Sequence, residues 1–221
     1  MPPDILFDLD GTLIDSSPGI LASFGRILAA AGLPPAVPLA ASLIGPPLAV
    51  TLQQVSGIQD EALLARLVEA FKADYDTAGY RSTEVFPGVA AGLAQLAAAG
   101  ARLFIVTNKR MVPTRRILEA LGLAQHFAGI HTRDETEPMA PSKAAVTQRI
   151  LAHYGIDPAL ALFVGDSDED AAAARENGLR FIHAAYGYGA AGIKADSLRL
   201  DRFEDLPGLI EGLEDSLDYF P

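Results

Sequence analysis

Residues 8 to 16 read Asp-Leu-Asp-Gly-Thr-Leu-Ile-Asp-Ser and follow directly on the short apolar run Ile5-Leu6-Phe7. The run is short and β-compatible, and the glycine after it breaks it. Side chains two apart on a strand share a face, so Asp8 and Asp10 project together at the carboxyl end of that strand. Two adjacent carboxylates repel unless a cation or a proton separates them. A hard metal such as Mg²⁺ takes oxygen ligands and commonly shares them with a substrate phosphate. With a metal present, one carboxylate attacks phosphorus and the other, protonated, delivers a proton to the leaving oxygen.

The rest of the chain restricts what surrounds this feature. Its 221 residues suit one domain, or one domain with a smaller insertion. Half of them are apolar and 20% are charged, a balance that buries a core and argues against extensive disorder. Cysteine is absent, which excludes disulfides and thiolate zinc sites. Met1-Pro2-Pro3-Asp4 carries no basic stretch and makes a poor signal peptide, so a cytoplasmic location is expected. The Ala/Gly/Leu stretch after Val89 is broken by Gln95, Gly100 and Arg102 and reads as a helix running into a strand, so no membrane span is expected. The net charge of −11 argues against a nucleic-acid partner. It also opposes an anionic substrate, although screening over about 8 Å lets local charges override the global field. A phosphate site in this chain must therefore bring its own cation.

Ser17-Pro18 opens a helix expected to reach about Ala31, with Ser17 as its cap. A second helical piece is expected from about Pro46 to Ser56. A third places Leu63, Leu64, Leu67, Val68, Phe71 and Tyr75 on one face, opened by Asp60; that stripe is read as packing. From Pro87 on, helix alternates with strand, with strands at 102–106, 127–131, 161–164 and 180–183 and a helical close from Phe203 to Gly212. Alternation of this kind implies a parallel sheet covered on both faces. Residues 18 to 79 show no strand pattern and form a helical insertion after the first strand.

Ligands of open α/β sheets bind beyond the carboxyl ends of the strands. One such end carries Asp8 and Asp10, a second Thr107-Asn108-Lys109, a third Gly165-Asp166-Ser-Asp-Glu-Asp170. Lys143 stands near the start of a helix, where its charge opposes the helix dipole. Each motif alone has a plain structural explanation: a capped turn for Asp8-x-Asp10, a helix cap for Thr107-Asn108, a solvated surface residue for Lys143. Their order along the strand ends favours chemistry. Asp166, Asp168 and Asp170 do not make an EF-hand loop, since Ala171 and Asn177 stand where glycine and glutamate are needed. The four histidines have no ligand spacing. Lys109 and Arg110 are read as solvated or rim charges, and Tyr186-Gly-Tyr-Gly189 as a flexible loop near the rim.

On these motifs the chain resembles the haloacid dehalogenase superfamily phosphatases: Asp8-Leu-Asp-Gly-Thr, Thr107-Asn108, Lys143 and Gly165-Asp166-Ser-Asp-Glu-Asp170 match its four motifs in order. Gly45-Pro-Pro-Leu48 and Phe86-Pro-Gly-Val89 are similar to the phosphoglycolate phosphatase-like branch, whereas Glu137-Pro-Met-Ala-Pro-Ser-Lys143 replaces the Lys-Pro-x-Pro often found there. The resemblance implies a doubly wound, Rossmann-like α/β core (1–16 and 84–221) with an inserted α-helical cap (17–83), hinged near Ser16-Ser17 and Thr83 to Pro87. It implies Asp8 as nucleophile, forming an aspartyl-phosphate, and Asp10 as acid and then base. Thr107, Asn108 and Lys143 would contact the phosphoryl group. Mg²⁺ would be held by Asp8, the backbone carbonyl of Asp10, Asp166 and Asp170. The implied substrate is a small phosphomonoester of the phosphoglycolate kind, and the implied protein a monomer or homodimer. Alternatives on the same scaffold are a nucleotidase or pyrophosphatase and a sugar phosphomutase. A non-catalytic phospho-acceptor module is a further alternative, but it lacks a helical block after the first strand.

Overall fold

The computed structural model describes residues 2–189 and 198–217. The first strand, β1 (Asp4–Phe7), leads into a two-residue strand β2 (Ile14–Asp15). Helices α1 (Ser17–Ala30), α2 (Leu48–Ser56) and α3 (Glu61–Thr77) follow. A second short strand, β3 (Glu84–Val85), brings the chain back. Then come α4 (Val89–Ala98), β4 (Arg102–Thr107), α5 (Met111–Ala120), β5 (Gly129–Thr132), α6 (Lys143–Tyr154), β6 (Leu162–Gly165), α7 (Asp168–Glu176), β7 (Arg180–Ala184), β8 (Leu198–Leu200) and α8 (Leu206–Leu217).

Six strands form one sheet in the order β5-β4-β1-β6-β7-β8, every pairing parallel. Because β1 is central, its alternate side chains serve two cores. Ile5 and Phe7 pack with Val89, Leu93, Ile105 and Phe203 on one face, while Leu6 packs with Phe104, Val146 and Phe163 on the other. The chain winds outward from β1 through β4 to β5, then crosses back to β6, so the carboxyl ends of β1, β4 and β6 meet at the switch point. Phe7 lies in register with both Ile105 and Val164, which brings the residues after these three strands together.

The helical block has its own core, in which Phe24, Leu52, Val55, Leu67, Phe71 and Tyr75 are buried. Helix α3 starts where expected: the Asp60 carboxylate accepts from Leu63 N–H at 3.0 Å. At α1 the cap position falls one residue earlier than the sequence suggested, on Ser16, and without a side-chain cap. The reason is competition, since the Ser16 hydroxyl donates to Asp10 instead. Strands β2 and β3 were not anticipated, being too short to show a period. They pair antiparallel, Ile14 with Val85 and Asp15 with Glu84, and form the neck through which the chain leaves and re-enters the sheet layer. Strand β8 was also missed. Among the described residues no helix is long and apolar enough to cross a membrane.

Candidate active site

Asp8 follows directly on β1, and its N–H donates to Val164 O at 2.9 Å, so the backbone under the first carboxylate is fixed by β6. The turn after it needs Gly11: its φ is +85°, and a Cβ there would lie 2.4 Å from an Asp166 carboxylate oxygen. Lys143 opens α6, and its ammonium donates to Asp8 Oδ1 at 2.8 Å and to Asp170 Oδ1 at 2.6 Å. Asp170 is held from the other side by a capping box, accepting from Ser167 N–H at 3.0 Å and from the Ser167 hydroxyl at 2.6 Å. Carboxylate oxygens of Asp8, Asp166 and Asp170 lie within 4.8 Å of one another, and all three residues are buried.

Such crowding shows in the electrostatics. Burial, with repulsion from Asp170 and Asp166, holds the Asp8 carboxyl well above the usual range even though Lys143 opposes the shift. Asp166 is pushed up to about 6 by burial and then by the Asp170 charge. Burial alone would lower the Lys143 ammonium, but Asp170 and Asp8 outweigh it and raise the group instead. Lys143 is thus one cation among three carboxylates, an arrangement with room in its charge balance for another.

Asp10 stands apart from that cluster. Its Oδ1 accepts from Lys109 Nζ at 2.8 Å and from the Ser16 hydroxyl. Here a sequence expectation is overturned: Lys109 is no rim charge, its side chain being only 5% exposed. Its ammonium lies 5.0 Å from the Tyr75 ring centroid of α3, so it sits between the sheet and the helical block. Arg110 is not a free rim charge either; it pairs with Asp76 of α3 through two guanidinium contacts, one at 2.9 Å. A lysine directly after a strand end, beside two matched motif residues, was the available signal.

Thr107 is buried and accepts from Lys109 N–H at 3.1 Å. Asn108 spans the two layers, its amide donating to Gly45 O at 2.9 Å and to Glu169 Oε2 at 2.7 Å, while its buried Oδ1 has no partner. The structure therefore brings Asp8, Asp10, Thr107, Asn108 and Lys143 to one place, with Asp166 and Asp170 behind Asp8. A cavity of about 330 Å³ opens over Asp8, Asp10 and Thr107, and its far wall is made by Phe24, Leu48, Phe71 and Tyr75 of the helical block.

The segment 186–189, expected as a flexible loop, is tied down at both ends of Tyr188. Tyr188 N–H and Gly189 N–H donate to Asp166 Oδ2 at 2.7 and 3.1 Å, and the Tyr188 hydroxyl donates to Asp15 at 2.6 Å while accepting from Ser16 N–H at 2.9 Å. Tyr186 donates to Thr12 O at 2.7 Å. Gly187 was the clue, since a Cβ there would lie 2.3 Å from Gly11 O.

Comparison with known proteins agrees with this geometry. A plasmid phosphoglycolate phosphatase of Cupriavidus necator is 35% identical over 215 residues, covering 93% of this chain and 92% of the relative. Tyrosine-protein kinase PtkA of Mycobacterium tuberculosis is 37% identical over 191 residues, covering 86% of this chain; the chain spans only 64% of that relative's length. Among solved structures, a haloacid dehalogenase-like hydrolase from Streptococcus pneumoniae superposes with a TM-score of 0.81 at 27% identity, covering 94% of this chain and 98% of the other. The family model for haloacid dehalogenase-like hydrolases matches residues 5–184, from the first strand through the last of the strand ends that build the site. The chain belongs to the haloacid dehalogenase-like hydrolase family.

Proposed function

We propose that this protein is a Mg²⁺-dependent phosphatase that hydrolyses a small phosphomonoester of the phosphoglycolate kind through an aspartyl-phosphate on Asp8. The observation that carries the reading is the pairing of two buried aspartates with different surroundings on one cavity: Asp8 against Lys143 and two further carboxylates, Asp10 against Lys109 and Ser16. Likeness to phosphoglycolate phosphatases over nearly the whole chain supports the substrate class.

Lys143 engages Asp8 Oδ1, which leaves Oδ2 as the attacking oxygen. As it bonds to phosphorus, the ester P–O bond breaks and the leaving oxygen takes a proton from Asp10. Asp10 then takes a proton from water as the water oxygen attacks phosphorus, the P–O bond to Asp8 breaks, and phosphate departs with Asp8 restored. Thr107 and Asn108 line the phosphoryl position.

The donor set fits a divalent ion, because three buried carboxylates converge with one lysine between two of them. Asp8, Asp166 and the Asp10 carbonyl would hold it, with Asp170 in support. Such an ion would supply positive charge beside the phosphoryl group. Residues 17–83 act as the cap that shields the cavity from water, and 1–16 with 84–221 as the catalytic core.

The test is phosphate release from phosphoglycolate, nucleoside monophosphates, sugar phosphates and pyrophosphate, with and without Mg²⁺, for wild type beside Asp8→Asn. Metal-dependent release from phosphoglycolate, reduced by at least about 10³-fold in the variant, is expected. Isomerisation of a sugar phosphate in place of release, or transfer from ATP to a tyrosyl peptide without release, overturns the reading.

A further inference from the structure

Two polar groups on the cavity wall have no role in the chemistry above. The first is the Lys109 ammonium. It carries three donors and uses one on Asp10. The second is the Tyr75 hydroxyl, on a residue only 2% exposed. Tyr75 Oη makes no hydrogen bond of normal length and angle, although it lies near enough to the Lys109 ammonium to help hold its charge. Lysine has no acceptor, so whatever Lys109 gives to this oxygen, the phenol proton has nowhere to go. A buried donor left unused is costly and rare unless something visits it.

Other cations at the cavity have partners: Arg110 grips Asp76, Lys143 bridges Asp8 and Asp170, and Lys72 pairs with Glu69 at 2.6 Å on the exposed side of α3. Phe24, Phe71 and Leu48 make the neighbouring wall apolar. Lys109 and Tyr75 are therefore a polar spot beside an apolar wall, and their donors point to an acceptor, preferably an anionic one. Position says which part of a substrate meets them. Asp10 serves the leaving oxygen, and Lys109 is 2.8 Å from Asp10. The carbon skeleton attached to the leaving oxygen must pass beside Lys109.

We propose that Lys109 and Tyr75 together recognise a carboxylate borne by the leaving group, and so make this protein selective for phosphorylated hydroxy acids over neutral alkyl phosphates. This deepens the phosphatase reading and rests on it for the orientation of substrate. Tyr75 enters as a specificity residue supplied by the cap. Its ring stacks on Phe71 at 5.3 Å with an interplanar angle of 13°, so removing the hydroxyl alone leaves the packing intact.

The experiment measures binding, which needs no turnover. Calorimetric titration in Mg²⁺ buffer compares 3-phosphonopropionate, an uncleavable mimic of phosphoglycolate, with propylphosphonate, which replaces the carboxylate by a methyl. Wild type is expected to prefer the carboxylate by at least about 10-fold, as for a charged hydrogen bond. Tyr75→Phe should shrink that preference by about fivefold, and Lys109→Gln should abolish it, with little change for propylphosphonate in Tyr75→Phe. Equal binding of the two ligands by wild type overturns the proposal, as does a parallel loss of both ligands in Tyr75→Phe. Phosphate release without carboxylate preference would sink this inference and leave the phosphatase standing; preference without release from any ester would do the reverse.

Discussion

The two walls of the cavity are built by different rules. On the sheet side, Asp8 and Asp166 follow directly on β1 and β6 and Thr107 ends β4, strands whose neighbours lock their backbones, and the carboxylates of Asp8, Asp166 and Asp170 are met by donors at 2.6 to 3.3 Å. On the helical side, Phe24, Phe71 and Tyr75 stack on one another, with centroids 4.8 and 5.3 Å apart, and Tyr75 brings the one polar atom considered above. The sheet wall is a charge network in which removing any member strands the rest. The helical wall is a packed apolar surface that tolerates change of chemistry so long as volume is kept. On the proposed reading, chemistry falls to the rigid wall, and the adaptable wall, through Tyr75, shares in discrimination among substrates.

The comparison breaks most visibly at Lys143. Lys143→Met keeps most of the volume but leaves Asp8, Asp166 and Asp170 facing one another in a buried space. Breaking a buried pair in this way costs about 3–5 kcal/mol, which for a chain of this size lowers Tm by roughly 10 °C. Calorimetric melting at neutral pH should show that drop, together with loss of phosphate release. An unchanged melt would mean that the sheet wall is not held by its charges.

Sequence legibility divides along the same line. Asp8, Asp10, Thr107, Asp166 and Asp170 could be found because strand ends in a parallel sheet have a known address and their residues fall in short contiguous runs, whereas Lys143, which opens α6, was reached through the resemblance of its motif. The helical segment could be seen as helical from the spacing of Leu67, Phe71 and Tyr75. Its contribution to the site could not, because a tyrosine that faces a cavity has the same helical period as one that faces the core. Lys109 failed for another reason: whether a lysine after a strand end is solvated depends on what covers it, and α3 comes from 32 or more residues earlier in the chain. The neck β2–β3 has two residues per strand, too few for any periodicity. Tyr188 joins Asp166 to Asp15, from which it is 173 positions away, a contact no local pattern records.

A smaller effect sharpens the contrast through pH. In the metal-free protein Asp166 is raised to about 6 from the ordinary 3.8, and Asp8 is raised too. Between those values the folded chain binds more protons than the unfolded one, so unfolding free energy falls as pH rises. Stability contributed by the protonated forms is present at pH 4 and lost by pH 7. Tm of the metal-free protein should accordingly fall by a few degrees from pH 4 to 7, against the usual gain for carboxylates that are salt-bridged. Mg²⁺ should recover the loss at pH 7 and do little at pH 4, where protons already occupy the cluster. A Tm that rises across this range, or a Mg²⁺ effect independent of pH, would contradict the cluster as described.

The smallest effect concerns the join between the walls. Arg110 meets Asp76 and Arg116 reaches the Asp76 carbonyl, so the end of α3 nearest the sheet is pinned by α5 and the residue before it. The Arg110 and Asp76 side chains are 21% and 18% exposed, which places the pair between a screened surface contact and a buried one. Arg110→Ala should therefore cost no more than about 1 kcal/mol in global stability. Its consequence should appear where Tyr75, the residue directly before Asp76, is positioned over the cavity. KM for a carboxylate-bearing ester is expected to rise about two- to threefold with kcat unchanged, because the substitution loosens recognition and leaves Asp8, Lys143 and Asp10 alone. A fall in kcat at constant KM would mean that the helical wall takes part in the chemistry itself, and the division of labour between the two walls would have to be given up.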